Sequence, residues 1–395
     1  MDNYVLTFDA RGRATEVDEL MDARQRDCFS GRFLIEKSRM YFIDSTNFER
    51  LLKKLSSEGE LFVPVRDQET GKLHIERVEA FPLPEQTTLE GHRAVETLKA
   101  FGQLLRFPVA EYPSPELDEL TLEENIPNYI VVGARACDIK AMELVDRVQI
   151  EGEFTDPFYK IRRDKMVVIG ADCTDCGKSC FCNLLGGKPW PERGFDLSLS
   201  RVVGGYLIEA GSERGEGIVE GNKELFAETR EGLVEQRDEI RREVLRKLEE
   251  NNEKFPTAEG LPEIIRGSLT DEIWDEIAAR CVECGACTNI CPTCYCFLLY
   301  DQEADGEHFQ RISTWDSCQV TGYARMAGML NPRPRLVDRF KHRYYHKYDY
   351  LVLSHDAIYC TGCGRCIDSC SAGIDMRDVF ERVKKKAATQ GRKRA

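Results

Sequence analysis

Short apolar runs that predict β-strands alternate with helical patterns over the first half of the sequence. Residues 33–36 and 61–65 predict strands, and 47–55 has the apolar spacing of a helix between them. Two further apolar runs, at 129–133 and 166–170, each lead into a segment that contains cysteine. Two strands that are each followed by a cysteine-containing loop are typical of an α/β domain whose strand ends meet at one site.

A charged segment at 223–252 follows this region and has the pattern of an amphipathic helix. Gly232 marks a break near its start, and its apolar residues recur at helical spacing, at Leu233, Ile240, Val244 and Leu248. Such a helix either connects two parts of the chain through one buried face or binds a partner. Pro256 and Pro262 then predict a linker.

Composition limits the class of protein. The chain has 395 residues, of which 42% are hydrophobic, and these values are typical of a soluble protein with two or three domains. No apolar run approaches the roughly 20 residues that cross a bilayer, and the N-terminus lacks the pattern of a secretory signal. We therefore expect a cytoplasmic protein without a membrane span. The net charge of −14 argues against nucleic acid as a partner.

Cysteine is the most informative residue type in this sequence. The 17 cysteines are an odd count and fall in regularly spaced groups, which favours metal ligation over a disulfide framework. Two runs share the spacing Cys-x2-Cys-x2-Cys-x3-Cys, one from Cys281 to Cys291 and one from Cys360 to Cys370. This spacing predicts two [4Fe–4S] clusters, because three thiolates of one run bind three corners of a cubane and the fourth ligand comes from the other run.

By that rule the two runs exchange their last ligands. The predicted ligand sets are Cys281, Cys284, Cys287 and Cys370 for one cluster and Cys360, Cys363, Cys366 and Cys291 for the other. A zinc site needs only four ligands and would leave half of these cysteines unused. The glycines between the cysteines suit loops that approach a cluster closely, at Gly285, Gly362 and Gly364.

A third cysteine group lies upstream of these runs. Cys137 follows the apolar run at 129–133, and four further cysteines follow the run at 166–170: Cys173, Cys176, Cys180 and Cys182. We expect a third [4Fe–4S] cluster whose ligands are Cys137, Cys173, Cys180 and Cys182, while the role of Cys176 stays undecided. A zinc site and unligated buried thiols are the alternatives.

Four cysteines have no ligand role in this scheme: Cys28, Cys294, Cys296 and Cys318. The last three either pack as thiols near the clusters, or form a further metal site or a redox-active thiol pair. Cys28 is most simply an isolated thiol.

Two basic segments depart from the acidic balance of the chain. The stretch 339–347 either stabilises anionic clusters or forms a docking patch for an acidic partner. Its neighbouring tyrosines predict helix packing, at Tyr344, Tyr345 and Tyr348. The second segment, 384–394, predicts a solvated end of the chain.

About seventy residues separate the two C-terminal cysteine runs, and 322–329 has a helical pattern within them. This favours a helical ferredoxin arrangement, by analogy with the iron–sulfur subunits of fumarate and succinate dehydrogenase. The expected fold class is α+β. We expect an N-terminal α/β domain with a cysteine-rich loop region at 1–215, a connecting helix and linker at 216–265, a helical ferredoxin-like two-cluster domain at 266–385, and a basic disordered tail at 386–395.

Several of these strings together resemble one protein family. They are Val-Gly-Ala-Arg-Ala-Cys-Asp-Ile-Lys-Ala at 132–141, Cys-Phe-Cys at 180–182, Cys-Thr-Asn-Ile-Cys-Pro-Thr-Cys-Tyr-Cys-Phe at 287–297, Trp-Asp-Ser-Cys at 315–318 and Ala-Gly-Met-Leu-Asn-Pro-Arg-Pro at 327–334. The family includes an iron–sulfur subunit of anaerobic sulfite reductase, sulfhydrogenase beta subunits and related subunits of heterodisulfide-reductase-like bifurcating complexes. Ser371 stands where members commonly have proline, and Cys176 stands where a different residue is expected.

The resemblance implies an iron–sulfur subunit of an anaerobic redox complex. Such a subunit passes electrons between a flavin- or NAD(P)-binding partner and a catalytic or heterodisulfide-reductase-like subunit. The sequence lacks a Gly-x-Gly-x-x-Gly fingerprint between a strand and a helix, and the glycines at 211–217 predict a turn between strands. We therefore expect a non-catalytic relay. The alternatives are a reductase that acts on a sulfur compound at the N-terminal cysteine site, and an iron–sulfur sensing module.

Overall fold

An eight-stranded β-sheet and a separate helical core make up most of the described chain. This is a computed structural model that describes residues 40–112 and 126–394, all within the unit Arg39–Ala395. The mixed content confirms the α+β class. The strand predicted at 33–36 and Cys28 lie outside the described residues.

The strands are β1 (Met40–Asp44), β2 (Glu60–Arg66), β3 (Leu73–Arg77), β4 (Arg106–Tyr112), β5 (Tyr129–Ala134), β6 (Met166–Ala171), β7 (Leu197–Val202), β8 (Gly205–Ala210), β9 (Ala227–Glu228), β10 (Phe297–Glu303) and β11 (Phe309–Trp315). The α-helices are α1 (Ser45–Leu55), α2 (Lys99–Gly102), α3 (Ala136–Gln149), α4 (Pro157–Asp164), α5 (Glu213–Glu220), α6 (Glu231–Asn252), α7 (Leu261–Gly267), α8 (Ile273–Ala278), α9 (Ala286–Asn289), α10 (Leu336–Tyr345), α11 (Leu351–His355), α12 (Arg365–Asp368) and α13 (Met376–Arg394). A π-helical segment, His346–Tyr350, joins α10 to α11.

The large sheet has the strand order β3-β2-β5-β6-β7-β8-β1-β9. Its neighbours β2, β5, β6 and β7 are parallel, and the remaining pairs are antiparallel. Because β5 and β6 are parallel, their carboxyl ends meet at one edge, and Cys137 and Cys173 follow there within three residues of the strand ends. The convergence expected from the two apolar runs is therefore present.

The helix predicted at 47–55 is α1, which begins beside the capping residue Asp44. The Asp44 carboxylate accepts the Asn47 N–H at 2.9 Å and so satisfies one of the free donors of the first turn. Four apolar side chains on one helix face are buried against the sheet: Phe48, Leu51, Leu52 and Leu55. Burial stabilises each by about 2 kcal/mol, so this face attaches the helix to the sheet.

The charged segment forms α6, whose inner face packs on this same chain. Val244 and Leu248 are buried as predicted, and so is Asn252. The Asn252 amide donates to the Cys180 carbonyl at 2.8 Å and accepts from Arg377 of α13 at 2.9 Å. This helix therefore links the third cysteine group to the last helix, as a connecting helix with one buried face does.

The turn predicted at 211–217 is wrong, because this segment begins helix α5. Ser212 caps the helix by accepting the Gly215 N–H at 3.0 Å. A Cβ atom at Gly215 would lie 1.8 Å from the Asp196 carbonyl, so this glycine serves close packing. The first turn carries Glu213 and Glu216, whose charges would repel a phosphate.

The segment between the two C-terminal cysteine runs differs from its prediction. The stretch 322–329 consists of turns with one 3-10 turn at Ala327–Met329, so the predicted helix is wrong. Strands β10 and β11 form a hairpin there, and β4 adds to it from nearly two hundred residues earlier. This pairing depends on a distant strand, and the local pattern at 297–315 therefore does not reveal it.

The helical core surrounds the C-terminal cysteine runs. Helices α8, α10 and α13 and the π-helical segment bury large aromatic side chains that contact one another: Trp274, Phe340, Tyr344, Tyr345, Tyr348 and Phe380. The packing predicted for Tyr344, Tyr345 and Tyr348 is confirmed. Helix α13 continues to Arg394 and so includes most of the segment expected to be a disordered tail. None of the helices at 40–112 or 126–394 is long and apolar enough to cross a membrane.

Candidate metal centres

The first cavity, here called cavity A, brings together five thiols from both C-terminal runs, one of which is Cys366. Its walls include the predicted set Cys281, Cys284, Cys287 and Cys370. Gly285, with φ of 70°, turns the chain between Cys284 and helix α9. The Ile374 N–H donates to the Cys370 sulfur at 3.3 Å, and the Ser371 hydroxyl donates to the Cys284 sulfur at 3.7 Å. Ser371, which replaces the proline of the family pattern, thus supports a sulfur atom of the other run.

The second cavity, cavity B, holds the complementary set. Cys360, Cys363, Cys366 and Cys291 line it together with Phe181, Arg343 and Lys347. Burial raises the pKa of Cys366 to about 12. A thiol with so high a pKa stays protonated at neutral pH unless a metal or another strong cation stabilises its thiolate. Thiolates are the form that metals bind.

The third cavity, cavity C, collects all five cysteines of the upstream group. Its walls include Cys137, Cys173, Cys176, Cys180 and Cys182. Burial raises the pKa of Cys173 to about 12 and that of the half-buried Cys176 to about 11. The Asn251 amide donates to the Cys176 sulfur at 3.4 Å. Cys176 therefore lies with the group, which the sequence pattern alone left undecided.

The three cavities form a continuous series, because neighbouring cavities share wall residues. Cys363 belongs to the walls of both C and B, whereas Cys366 and Arg343 belong to both B and A. The loop of the second run also contacts the third group through its backbone. The Phe181 N–H donates to the Gly362 carbonyl at 2.8 Å.

Two glycines make the close approach of the second run to the third group sterically possible. A Cβ atom at Gly362 would lie 2.6 Å from the Cys182 backbone, and one at Gly364 would lie 2.3 Å from the Ser179 carbonyl. Both glycines also have a positive φ, of 66° and 76°. These positions therefore require glycine for two independent reasons.

The basic stretch at 339–347 points inward. Arg339, Arg343 and Lys347 are spaced by four residues, so they share one helix face, and they are only 1%, 6% and 2% exposed. Arg339 pairs with Glu283 of the first run at 2.7 Å. Of the two interpretations of this stretch, charge compensation near the cysteine loops is the one its burial supports.

Cysteine sulfurs are the main negative partners of three buried cations. Cys287 and Cys366 raise the pKa of Arg343 although burial opposes its charge. Cys291, Cys294 and Cys360 do the same for Lys347. Lys99 of α2 is the third such cation, and its pKa is lowered by burial against the favourable charges of Cys294, Cys291 and Cys296. Buried cations are costly unless compensated, so this arrangement fits anionic, thiolate-ligated groups in the cavities.

Ion pairs hold the third group against the second run. Arg365 donates to both carboxylate oxygens of Asp138, at 2.6 and 3.1 Å, and both side chains are almost fully buried. Arg93 donates to the Cys363 carbonyl and to Asp368. Sequence reasoning missed these arginines, although Arg365 lies inside a cysteine run and Asp138 adjoins Cys137.

The three cysteines without a ligand role lie beside cavity B and the hairpin. The neighbouring Cys291 raises the pKa of Cys294, and the neighbouring Cys318 lowers the pKa of Cys296. Within 40–112 and 126–394, no group of three or more histidine, cysteine or acidic side chains is arranged to hold a single metal ion. The cysteine sets described above thus surround cavities rather than one ion.

Comparison with known proteins agrees with this geometry. The model of a 4Fe-4S dicluster domain matches residues 280–374. Sulfhydrogenase 2 subunit beta of Pyrococcus furiosus is 29% identical over 349 residues, which are 87% of this chain and 97% of the relative. The F420-dependent formate dehydrogenase subunit beta of Methanocaldococcus jannaschii is 25% identical over 187 residues, which are 46% of this chain and 40% of that relative. Residues 280–374 thus match a family of 4Fe-4S dicluster domains, and most of the chain is similar to a sulfhydrogenase beta subunit.

Proposed function

We propose that this chain is an electron relay with three [4Fe–4S] clusters, one in each of cavities A, B and C. The observation that carries the proposal is the shared walls, because each cavity adjoins the next through at least one cysteine. The clusters would supply one-electron redox chemistry. The protein would supply thiolate ligands, exclusion of water and buried positive charge.

The proposed ligands follow the cysteine sets of the cavities. Cavity A would use Cys281, Cys284, Cys287 and Cys370, cavity B would use Cys360, Cys363, Cys366 and Cys291, and cavity C would use Cys137, Cys173, Cys180 and Cys182. Cys176 lies at the same cavity but is less buried than Cys173 and Cys182 and contacts Asn251, so we propose it as a nearby thiol.

A relay needs a donor and an acceptor in other subunits. Both relatives are named as beta subunits of oxidoreductases, one a sulfhydrogenase and the other a formate dehydrogenase. We propose a flavin- or NAD(P)-binding subunit on one side and a catalytic or heterodisulfide-reductase-like subunit on the other, in a cytoplasmic complex. We propose the domains 1–215, 216–265 and 266–385, and the described residues of these domains within Arg39–Ala395 would form one relay through the shared cavity walls.

Iron analysis of anaerobically purified protein tests the number of clusters. Three clusters require about twelve iron and twelve sulfide per chain, and two clusters require about eight of each. Cys137→Ser and Cys182→Ser should each lower the iron content by about four while the other clusters keep their electron paramagnetic resonance signals. Cys176→Ser is the matched control and should keep all twelve; loss of four iron in that variant would assign Cys176 as a ligand.

The relay role is tested with the isolated chain and with its co-purified complex. The isolated chain should not oxidise NADH or NADPH, whereas addition of the flavin-binding subunit should allow NAD(P)H to reduce the clusters. Oxidation of NAD(P)H by the isolated chain would contradict the relay.

An open cleft beside cavity C favours the second candidate, a reductase acting on a sulfur compound. Cys137 and Cys182 lie on its wall, and so do basic and aromatic side chains, among them Lys140, Lys188, Trp190 and Arg193. Arg193 and Lys188 pair with Glu143 and Glu192 of the same wall, so Lys140 is the basic group that would meet a small anion next to a redox centre. If the dithionite-reduced isolated chain turns over sulfite or polysulfide, and Lys140→Ala abolishes turnover without loss of iron, catalysis replaces the relay.

A further inference from the structure

The hairpin β10–β11 brings two unassigned cysteines together at its base. Phe297 is paired with Trp315, and the Asp316 N–H donates to the Cys296 carbonyl at 3.0 Å. The chain turns after Asp316, and Cys318 follows two residues beyond this backbone partner of Cys296, so that each of the two thiols shifts the pKa of the other. The strand register, which no cluster ligand requires, thus brings these two cysteines together.

The surroundings of this pair stabilise one thiolate next to one thiol. The neighbouring Cys318 thiol, and then the Tyr323 hydroxyl, lower the pKa of Cys296 to about 6 against the effect of burial. The Tyr323 hydroxyl lies 3.7 Å from the Cys296 sulfur. The ammonium groups of Lys347 and Lys99 also favour the Cys296 thiolate. A thiolate beside a second thiol is the reactive form in thiol–disulfide chemistry.

The second thiol is held in place separately. The Gln319 amide donates to the Cys318 sulfur at 3.4 Å and to the Arg339 carbonyl at 2.9 Å. Cys318 is buried, while Cys296 is half-buried.

The pair also lies next to the wall of cavity B. Cys291 on that wall and, more weakly, Cys296 both raise the pKa of Cys294, so Cys294 lies between the pair and cavity B.

We propose that Cys296 and Cys318 form a redox-active dithiol–disulfide pair that stores two electrons beside the relay. On oxidation an S–S bond forms, the Cys318 S–H bond breaks and the proton of Cys296, if bound, is also lost. The protons pass to water, and the two electrons pass singly to one-electron acceptors of the iron–sulfur class in this chain or its partner. Reduction reverses each of these changes. The proposal rests on the relay function for its acceptors, but not on whether the relay has two or three clusters.

Anaerobic redox titration with electron counting tests this pair. The full chain is reduced with dithionite, titrated with thionine, and quenched in acid with N-ethylmaleimide before mass spectrometry. Oxidised wild-type protein should contain a disulfide peptide joining Cys296 to Cys318, and reduced protein should contain both thiols alkylated. Cys318→Ser and Cys296→Ser should each release two electrons fewer per chain than wild-type protein in the thionine titration, with unchanged iron.

Cys294→Ser is the matched control, since this thiol neighbours the pair without belonging to it. It should keep the two additional electrons and the disulfide. A missing disulfide in oxidised wild-type protein, or equal electron counts in wild-type and Cys318→Ser protein, would overturn the proposal. Loss of iron in Cys296→Ser and Cys318→Ser would overturn it as well, by making these residues metal ligands. A total of eight iron instead of twelve would contradict the three-cluster relay alone, because the difference of two electrons does not depend on that number.

Discussion

Replacement of Arg343 by glutamine should lower the reduction potentials of the two C-terminal clusters together. The guanidinium group lies on the walls of both cavities A and B, and Cys287 and Cys366 are its main negative partners. Reduction adds a negative charge to a cluster, so a nearby buried cation favours the reduced state. Removing that cation removes part of the stabilisation from both clusters.

The size of this effect follows from Coulomb's law. A unit charge at a separation of roughly 7 Å and an effective dielectric constant of about 20 contributes about 2 kcal/mol. For a one-electron couple this corresponds to about 100 mV, and Arg343 is too deeply buried for salt to screen much of it. We therefore expect both midpoint potentials to fall by about 50–100 mV.

Potentiometric titration followed by electron paramagnetic resonance measures this shift in protein with its full iron content. Arg343→Lys should keep both potentials close to wild type, because it retains the charge. Arg335→Gln is the control on the same helix, since Arg335 is 67% exposed and pairs with Asp338. Unchanged potentials in Arg343→Gln, or an equal shift in Arg335→Gln, would refute the electrostatic argument. The potential of the cavity C cluster should stay within error.

Three further predictions concern stability and assembly. Gly364→Ala should lose the clusters of cavities B and C in an iron assay, because its Cβ would collide with a backbone carbonyl. Gly373→Ala is the control and should keep all clusters. Gly373 has a similar φ of 61°, but only a side-chain atom lies 3.7 Å from the position of its Cβ. Arg365→Gln should lower the free energy of unfolding by about 3–5 kcal/mol in denaturant titration, since it leaves the buried Asp138 carboxylate unpaired; an effect below 1 kcal/mol would contradict this. Burial lowers the pKa of His346 to about 4 in the folded state. As the pH falls below about 6.5, the unfolded chain therefore binds a proton at His346 before the folded chain does. Between pH 7.5 and 5.5 the free energy of unfolding should fall by about 1 kcal/mol in wild-type protein, and this loss should be absent in His346→Gln.

Local sequence patterns were sufficient for much of the fold. The apolar runs that became β5 and β6, and the helical spacing of Val244 and Leu248 in α6, depend on residues close in the chain. The cysteine sets of cavities A and B were also predictable, because the exchange of ligands between two runs follows from the corners of a cubane. The third group was predictable because both of its segments follow parallel strands.

Other features depended on contacts between distant segments. The amphipathic pattern at 339–347 did not reveal which surface its basic face would cover, and only the packing of α10 against the cysteine loops buries Arg343 and Lys347. The place of Cys176 at cavity C also depends on a contact between distant segments, since its neighbour Asn251 belongs to a helix seventy-five residues away.

The sequence by itself determined that the chain carries cysteine runs with the spacing of [4Fe–4S] ligands, because that spacing is a property of short loops. Tertiary structure decided how the three groups are connected. Gly362 and Gly364 allow the second run to contact the third group, and β4 pairs with a hairpin far along the chain. That hairpin in turn brings Cys296 and Cys318 close together. Such contacts arise from the free energy of packing the whole chain, which no local window of residues contains.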